Sequence, residues 1–200
     1  MSSEPRHDQR RDIQVKPVPF PNDTWLKDVS PWDYADSFMA EWASDRSFSS
    51  EDMLIALFCR TPAWLKFLYR LRNLMVKLLR ITAETNVSND GGDQAKQVEN
   101  LAEAIREGRS YGMFSVPFKS RDETVLSGAD RHLDFYLSLQ AQSGGDGQQR
   151  MTATTVVRYN NKTGRLYFFF VRPFHRVIVP IMMRGAIRML EKGPSPTNPA

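Results

Sequence analysis

From residue 13 onward the apolar positions change their period three times. Ile13, Val15, Val18 and Phe20 recur at two- and three-residue intervals with Pro17 and Pro19 between them. Proline cannot donate to a strand ladder, so this pattern predicts a short, irregular edge strand. A helical block follows. Trp32, Tyr34–Ala35, Phe38–Met39 and Trp42 recur at three- and four-residue steps behind Ser30–Pro31, a capping residue and a first-turn proline, and predict a first helix. Ser49, Ser50, Glu51 and Asp52 open a second helix over residues 53–60, with acids at the positive end of the helix dipole. Thr61–Pro62 breaks it and opens a third, whose apolar positions are Trp64, Leu65, Leu68, Leu71, Leu74, Met75, Leu78 and Leu79. Residues 82–93 are a polar loop, and 94–106 form a short polar helix with one apolar stripe, closed by Gly108.

From residue 110 the period becomes two. Residues 113–119, interrupted at Pro117, and 123–127 read as strands. In residues 131–142, Leu133, Phe135, Leu137 and Leu139 share one face, and His132, Asp134, Tyr136, Ser138 and Gln140 the other. The Gly-rich turn at 143–147 returns the chain through a strand at 151–159. A turn at 160–164 then leads to a closing strand at 165–171. Pro173 suits a helix start, and residues 174–190 keep helical spacing, with a kink expected at Pro180. A hairpin feeding a long terminal helix suggests a sheet wrapped around one helix, with a cavity beneath. The expected organisation is a disordered tail at 1–12, a single domain over 13–192 with an insert at 82–110, and a tail at 193–200.

Composition narrows the function classes. Two hundred residues suffice for one domain with a real core. The net charge of +4 comes without a dense basic block, which argues against nucleic acid as a partner. Lys66, Arg70, Arg72, Lys77 and Arg80 on the third helix read as a solvated face, with a membrane surface or an acidic partner as the sharper alternative. Cys59 is the only cysteine, so there is no internal disulfide, and no Cys/His cluster has zinc spacing; no metal or other cofactor is expected. It reads as a small buried hydrophobe in a reducing compartment. The polar first residues lack the apolar core of a signal peptide, and no uninterrupted apolar run is long enough to span a bilayer, so the expectation is a cytoplasmic protein without an integral membrane segment.

Several local motifs, taken in order over residues 32–190, resemble a bacterial group, the domain-of-unknown-function 2867 family. They are Asp33-Tyr34-Ala35-Asp36-Ser37-Phe38, Pro62-Ala63-Trp64 with Leu71-Arg72-Asn73, and Asp130-Arg131-His132-Leu133-Asp134-Phe135. They continue with Thr154-Thr155-Val156-Val157-Arg158-Tyr159-Asn160, Gly164-Arg165-Leu166-Tyr167 and Pro173-Phe174-His175-Arg176-Val177-Ile178-Val179. The element order is also similar to the helix-grip fold of the START-like and Bet v 1-like (SRPBCC) superfamily. The resemblance implies an α+β domain whose antiparallel sheet wraps a long C-terminal helix, with a helical block after the first strand and an internal pocket. Members of the group also occur joined to a dinucleotide-binding domain of the short-chain dehydrogenase type, but this sequence has no Gly-x-Gly-x-x-Gly stretch after a strand. The resemblance carries no catalytic residues that could be transferred to this chain.

The residues themselves offer one polar constellation: Arg131, His132, Asp134 and Tyr136 with Arg165, Tyr167 and His175. His132, Asp134 and Tyr136 share a strand face at next-but-one spacing of about 7 Å. Facing a cavity, His132 is a general base with Asp134 or Arg131 setting its charge. Facing solvent, Asp134 pairs with Arg158 or Arg165 instead, and this structural role is the preferred one. His175 either packs across the junction into the last helix or contacts a ligand at the cavity mouth. The aromatics at 167–170, read as strand residues on both sheet faces, leave pocket lining, a homodimer face and plain core open. The preferred function is noncatalytic binding of a small hydrophobic ligand. Metal-independent acid–base catalysis with His132 and Asp134, and an accessory role on a protein or membrane partner, are the alternatives.

Overall fold

The computed structural model of the chain describes residues 13–59, 94–112, 114–145 and 147–193. The third helix expected beyond Thr61–Pro62, the 82–93 loop and the tails at 1–12 and beyond 193 lie outside the described residues. The elements run β1 (Val15–Pro17), a 3-10 turn (Trp25–Val29), β2 (Tyr34–Ala43), α1 (Ser50–Cys59), α2 (Gln94–Glu107), β3 (Phe114–Lys119), β4 (Glu123–Ala129), β5 (Leu133–Ser143), β6 (Gln148–Tyr159) and α3 (Lys162–Lys192). The six strands make one open antiparallel sheet in the order β1-β2-β6-β5-β4-β3.

The edge strand, the four-strand run from β3 to β6, and α1 and α2 form where the residue pattern predicts them. Ser49 and Asp52 close a reciprocal capping box at the start of α1: the Ser49 hydroxyl accepts from the Asp52 N–H at 3.1 Å, and the Asp52 carboxylate accepts from the Ser49 N–H at 3.0 Å. Gly108, with φ of +65°, ends α2. The expected interruption of β3 at Pro117 is a register shift against β4 between Ser115 and Phe118.

Two expectations are overturned. The stretch read as the first helix is β2, a ten-residue strand paired on both edges, with β1 and with β6. Tyr34, Phe38 and Trp42 stand four apart, a spacing that suits one helix face and equally one strand face. With β1 and β6 alongside, the strand option satisfies the backbone on both sides. The second correction concerns residues 160–171. There is no final hairpin; Asn161 caps α3 by accepting the Gly164 N–H at 2.9 Å, and the supposed closing strand is the first part of a 31-residue helix. Gly164, Phe168 and Val171 face inward at helical spacing, whereas Phe169 and Phe170 are exposed. Pro173 and Pro180 both lie inside this helix.

The sheet carries a core on each face. On the inner face Phe38, Ala40, Leu139 and Met151 pack against α1 and against Met182, Met183, Ala186 and Ile187 of α3. On the outer face Val125 and Val156 are covered by the strap between β1 and β2, which buries Leu26 on them and packs Phe20, Trp25, Val29 and Trp32 around it. Glu123 anchors that strap, its buried carboxylate accepting from the Thr24 hydroxyl at 2.5 Å, the Ser138 hydroxyl at 2.6 Å and the Trp25 N–H at 2.9 Å. The polar group is thereby fully used in structure.

Candidate functional site

On the inner face a partly buried polar cluster lies at the β2–α3 junction. Antiparallel pairing puts Tyr34 opposite Val157 and Asp36 opposite Thr155, and the two-residue period turns both side chains toward α3. The Tyr34 hydroxyl donates to Asp36 Oδ2 at 2.5 Å, and His175 Nδ1, from α3, lies 3.1 Å from the same oxygen. The Asp36 and His175 side chains are only 11% and 21% exposed. Phe168 packs on Tyr34 with ring centroids 4.8 Å apart, and His175 meets the Tyr34 ring edge-on at 6.3 Å. Arg172 stacks its guanidinium over Tyr34 at 5.2 Å. Val157 and Val171 are buried in the same cluster, with Leu133, Phe135, Tyr159 and Tyr167 packed around it.

Burial pushes the Tyr34 hydroxyl up to about 12, reinforced by its bond to the Asp36 carboxylate and opposed by Arg176. Tyr34 therefore stays a neutral donor across the physiological range and directs its proton at Asp36. The second carboxylate oxygen, Oδ1, is buried and has no hydrogen-bond partner among the described residues. Buried polar atoms are nearly always satisfied, so an orphaned carboxylate oxygen in an aromatic wall marks a place where a donor belongs. A carboxylate that holds Nδ1 of an imidazole also leaves Nε2 as the acceptor of the neutral ring, the tautomer a general base requires.

Of the seven residues singled out in the sequence, His175 alone enters this cluster. Asp134 and Tyr136 lie on the sheet face opposite α3, and His132 stands in the turn that precedes β5. Tyr136 packs beside Trp25, with ring centroids 6.5 Å apart. Asp134 accepts from Arg158 at 2.6 Å and from Asn160 at 3.0 Å, and raises the pKa of that arginine. This is the cross-strand pairing preferred for it. His132 Nδ1 sits 3.3 Å from the Asn161 side chain, and the Arg131 carbonyl accepts from Asn161 at 3.0 Å, so both brace the start of α3. Arg165 is exposed, 3.8 Å from Asp33 and over the Tyr159 ring at 5.9 Å. Tyr167 borders the aromatic cluster. Tyr34, Asp36, Arg172 and Arg176 were missed. Read as helix, Tyr34 and Asp36 point about 200° apart; only strand periodicity puts them side by side.

Open hollows occur elsewhere. One of about 490 Å³ is lined by Asp23, Phe118, Ser120, Glu123 and Gln140, and one of about 420 Å³ by Glu41, Gln142, Gln148 and Arg150. Neither touches the cluster around Asp36. Among the described residues no group of three or more His, Cys, Asp or Glu side chains is placed to hold a metal ion.

Fold and site together define an α+β protein in which an open antiparallel sheet and a C-terminal helix enclose a Tyr–Asp–His cluster. The chain belongs to the family described as protein of unknown function (DUF2867), whose model matches residues 29–182. No curated protein and no solved structure matches it significantly.

Proposed function

We propose that the protein binds a small, mostly apolar molecule at the junction of α3 and the sheet without transforming it, and that the architecture is the helix grip of the START-like superfamily. One observation carries the binding: Asp36 Oδ1 is buried and unpartnered within a wall of Tyr34, Phe168, Val157 and Val171. A ligand that lays an apolar body on these rings and gives Asp36 one N–H or O–H would satisfy that oxygen. A hydrogen bond to a charged group contributes about 1.5–3 kcal/mol, so losing it weakens binding by roughly tenfold or more. Native mass spectrometry of protein purified without denaturation tests this. The wild type should retain a small-molecule adduct that Asp36→Asn loses. Wild-type protein free of adduct, or an adduct equally abundant on the variant, counts against the proposal.

A second reading has its own observation. His175 is held by a carboxylate through Nδ1, and no hydrogen bond from Nε2 is made among the described residues. Acid–base chemistry, if the protein performs any, belongs to His175 and Asp36 rather than to His132 and Asp134, because Asp134 faces away from the apolar site and is paired with Arg158. Conversion of the retained molecule by wild-type protein, abolished in His175→Gln with binding intact, would favour this reading over simple binding.

A further inference from the structure

The outward face of α3 is apolar. Leu166, Phe170, Phe174, Val177 and Ile181 follow one another at steps of four, four, three and four residues. They form a single stripe about 22 Å long, and their exposures run from 41% to 60%. Phe169, beside the stripe, is 70% exposed. Exposed apolar residues scattered singly need no explanation, but a continuous ridge on one helix does. The same helix holds seven basic residues and one acidic residue, so its net charge of +6 exceeds the +4 of the entire chain. Arg165, Arg172 and Arg176 are exposed along one flank of the ridge.

We propose that this face of α3 docks onto an anionic lipid surface. Phenylalanines and aliphatics backed by arginines are the composition of a helix lying in a bilayer interface, where the apolar ridge enters the acyl boundary and the guanidinium groups meet phosphates. A convex ridge on a single helix suits a deformable surface, whereas a protein partner would need a matching groove. The excess positive charge selects a negatively charged surface over a neutral one. By length and composition α3 could cross a membrane, but Met183, Ala186, Ile187 and Leu190 on its other side are at most 1% exposed and hold the inner core together. The helix therefore lies on the surface, with the domain above it. The apolar ridge shares no residue with the cluster around Asp36, although Arg172 on its flank stacks on Tyr34 of that cluster.

Vesicle sedimentation provides the test, with phosphatidylcholine alone and with about 30% phosphatidylglycerol added. Full-length protein should bind the anionic vesicles at least about tenfold more tightly, and the preference should collapse between about 0.1 M and 0.5 M salt. The double variant Phe169→Ser/Val177→Ser removes two of the most exposed apolar side chains and should reduce binding by about tenfold or more. Hydrogen exchange on the wild type gives a readout that does not depend on how the variant folds: amides of 166–181 should gain protection only when anionic vesicles are present. Equal binding to both vesicle types, or unchanged binding by the folded variant, overturns the proposal. So does exchange over residues 166–181 that anionic vesicles leave unaltered.

Discussion

Tyr34 and Asp36 link burial, hydrogen bonding and titration in one pair of side chains. The phenol is buried and donates to a carboxylate, and both facts disfavour its ionised form. In the unfolded chain a tyrosine loses its proton near pH 10, whereas Tyr34 in the folded protein holds it to about 12. Between those values the unfolded state binds fewer protons than the native state, so stability falls as pH rises through that window and is insensitive to this group below it. Urea unfolding from pH 9.5 to 11.5 checks the expectation: Tyr34→Phe should flatten most of the decline. A smaller slope should persist from Tyr159, whose pKa burial also raises. A variant that tracks the wild type across the range would show that the shift belongs elsewhere.

At the scale of an element, the start of α3 is the most tightly specified point. Asn161 caps the helix through Gly164 N–H and ties it to the Arg131 carbonyl. Gly164 itself passes so close to the preceding strand turn that an added Cβ would lie 1.9 Å from the His132 carbonyl oxygen. That contact is backbone on both sides and cannot be relieved by a side-chain rotation. Gly164→Ala should therefore cost about 3 kcal/mol, toward the upper end for overpacking, read as a lowered urea midpoint with the slope unchanged. A midpoint within experimental error of the wild type would mean that α3 can slide away from β5 at little cost. The glycine is visible in the sequence, but the residue it must clear lies on another element.

Across the whole molecule, α1, α3 and the inner sheet face share one continuous core. Met183 is fully buried at its centre, with Phe38, Leu139 and Met151 in the same cluster. Met183→Ala should lower unfolding stability by about 3 kcal/mol. Because helices and sheet unfold around the same cluster, far-UV dichroism and tryptophan fluorescence should shift together. Transitions that separate in the variant would show α3 to be an independently melting layer. The two proposed sites divide along the same helix: its inward side carries His175 to Asp36, and its outer face carries the exposed apolar ridge.

What the sequence determined by itself is local. Ser49 with Asp52 announces α1, and Gly108 ends α2. The alternation of Leu133, Phe135, Leu137 and Leu139 defines β5, because each of these signals acts over a few residues of chain. His175 was also legible as a polar residue of the last helix where it meets the sheet. Only the tertiary structure decided that Tyr34–Ala43 is a strand and that residues 165–171 are helix. Steps of four in the first stretch fit both periods, and a run of four aromatics in the second has no period at all; the choice falls to the neighbours that pair or pack with them. The candidate site shares that dependence. Asp36 and His175 are 139 residues apart in the chain, and they meet because β2 pairs with β6 and α3 folds back across both, a long-range arrangement that no local pattern encodes.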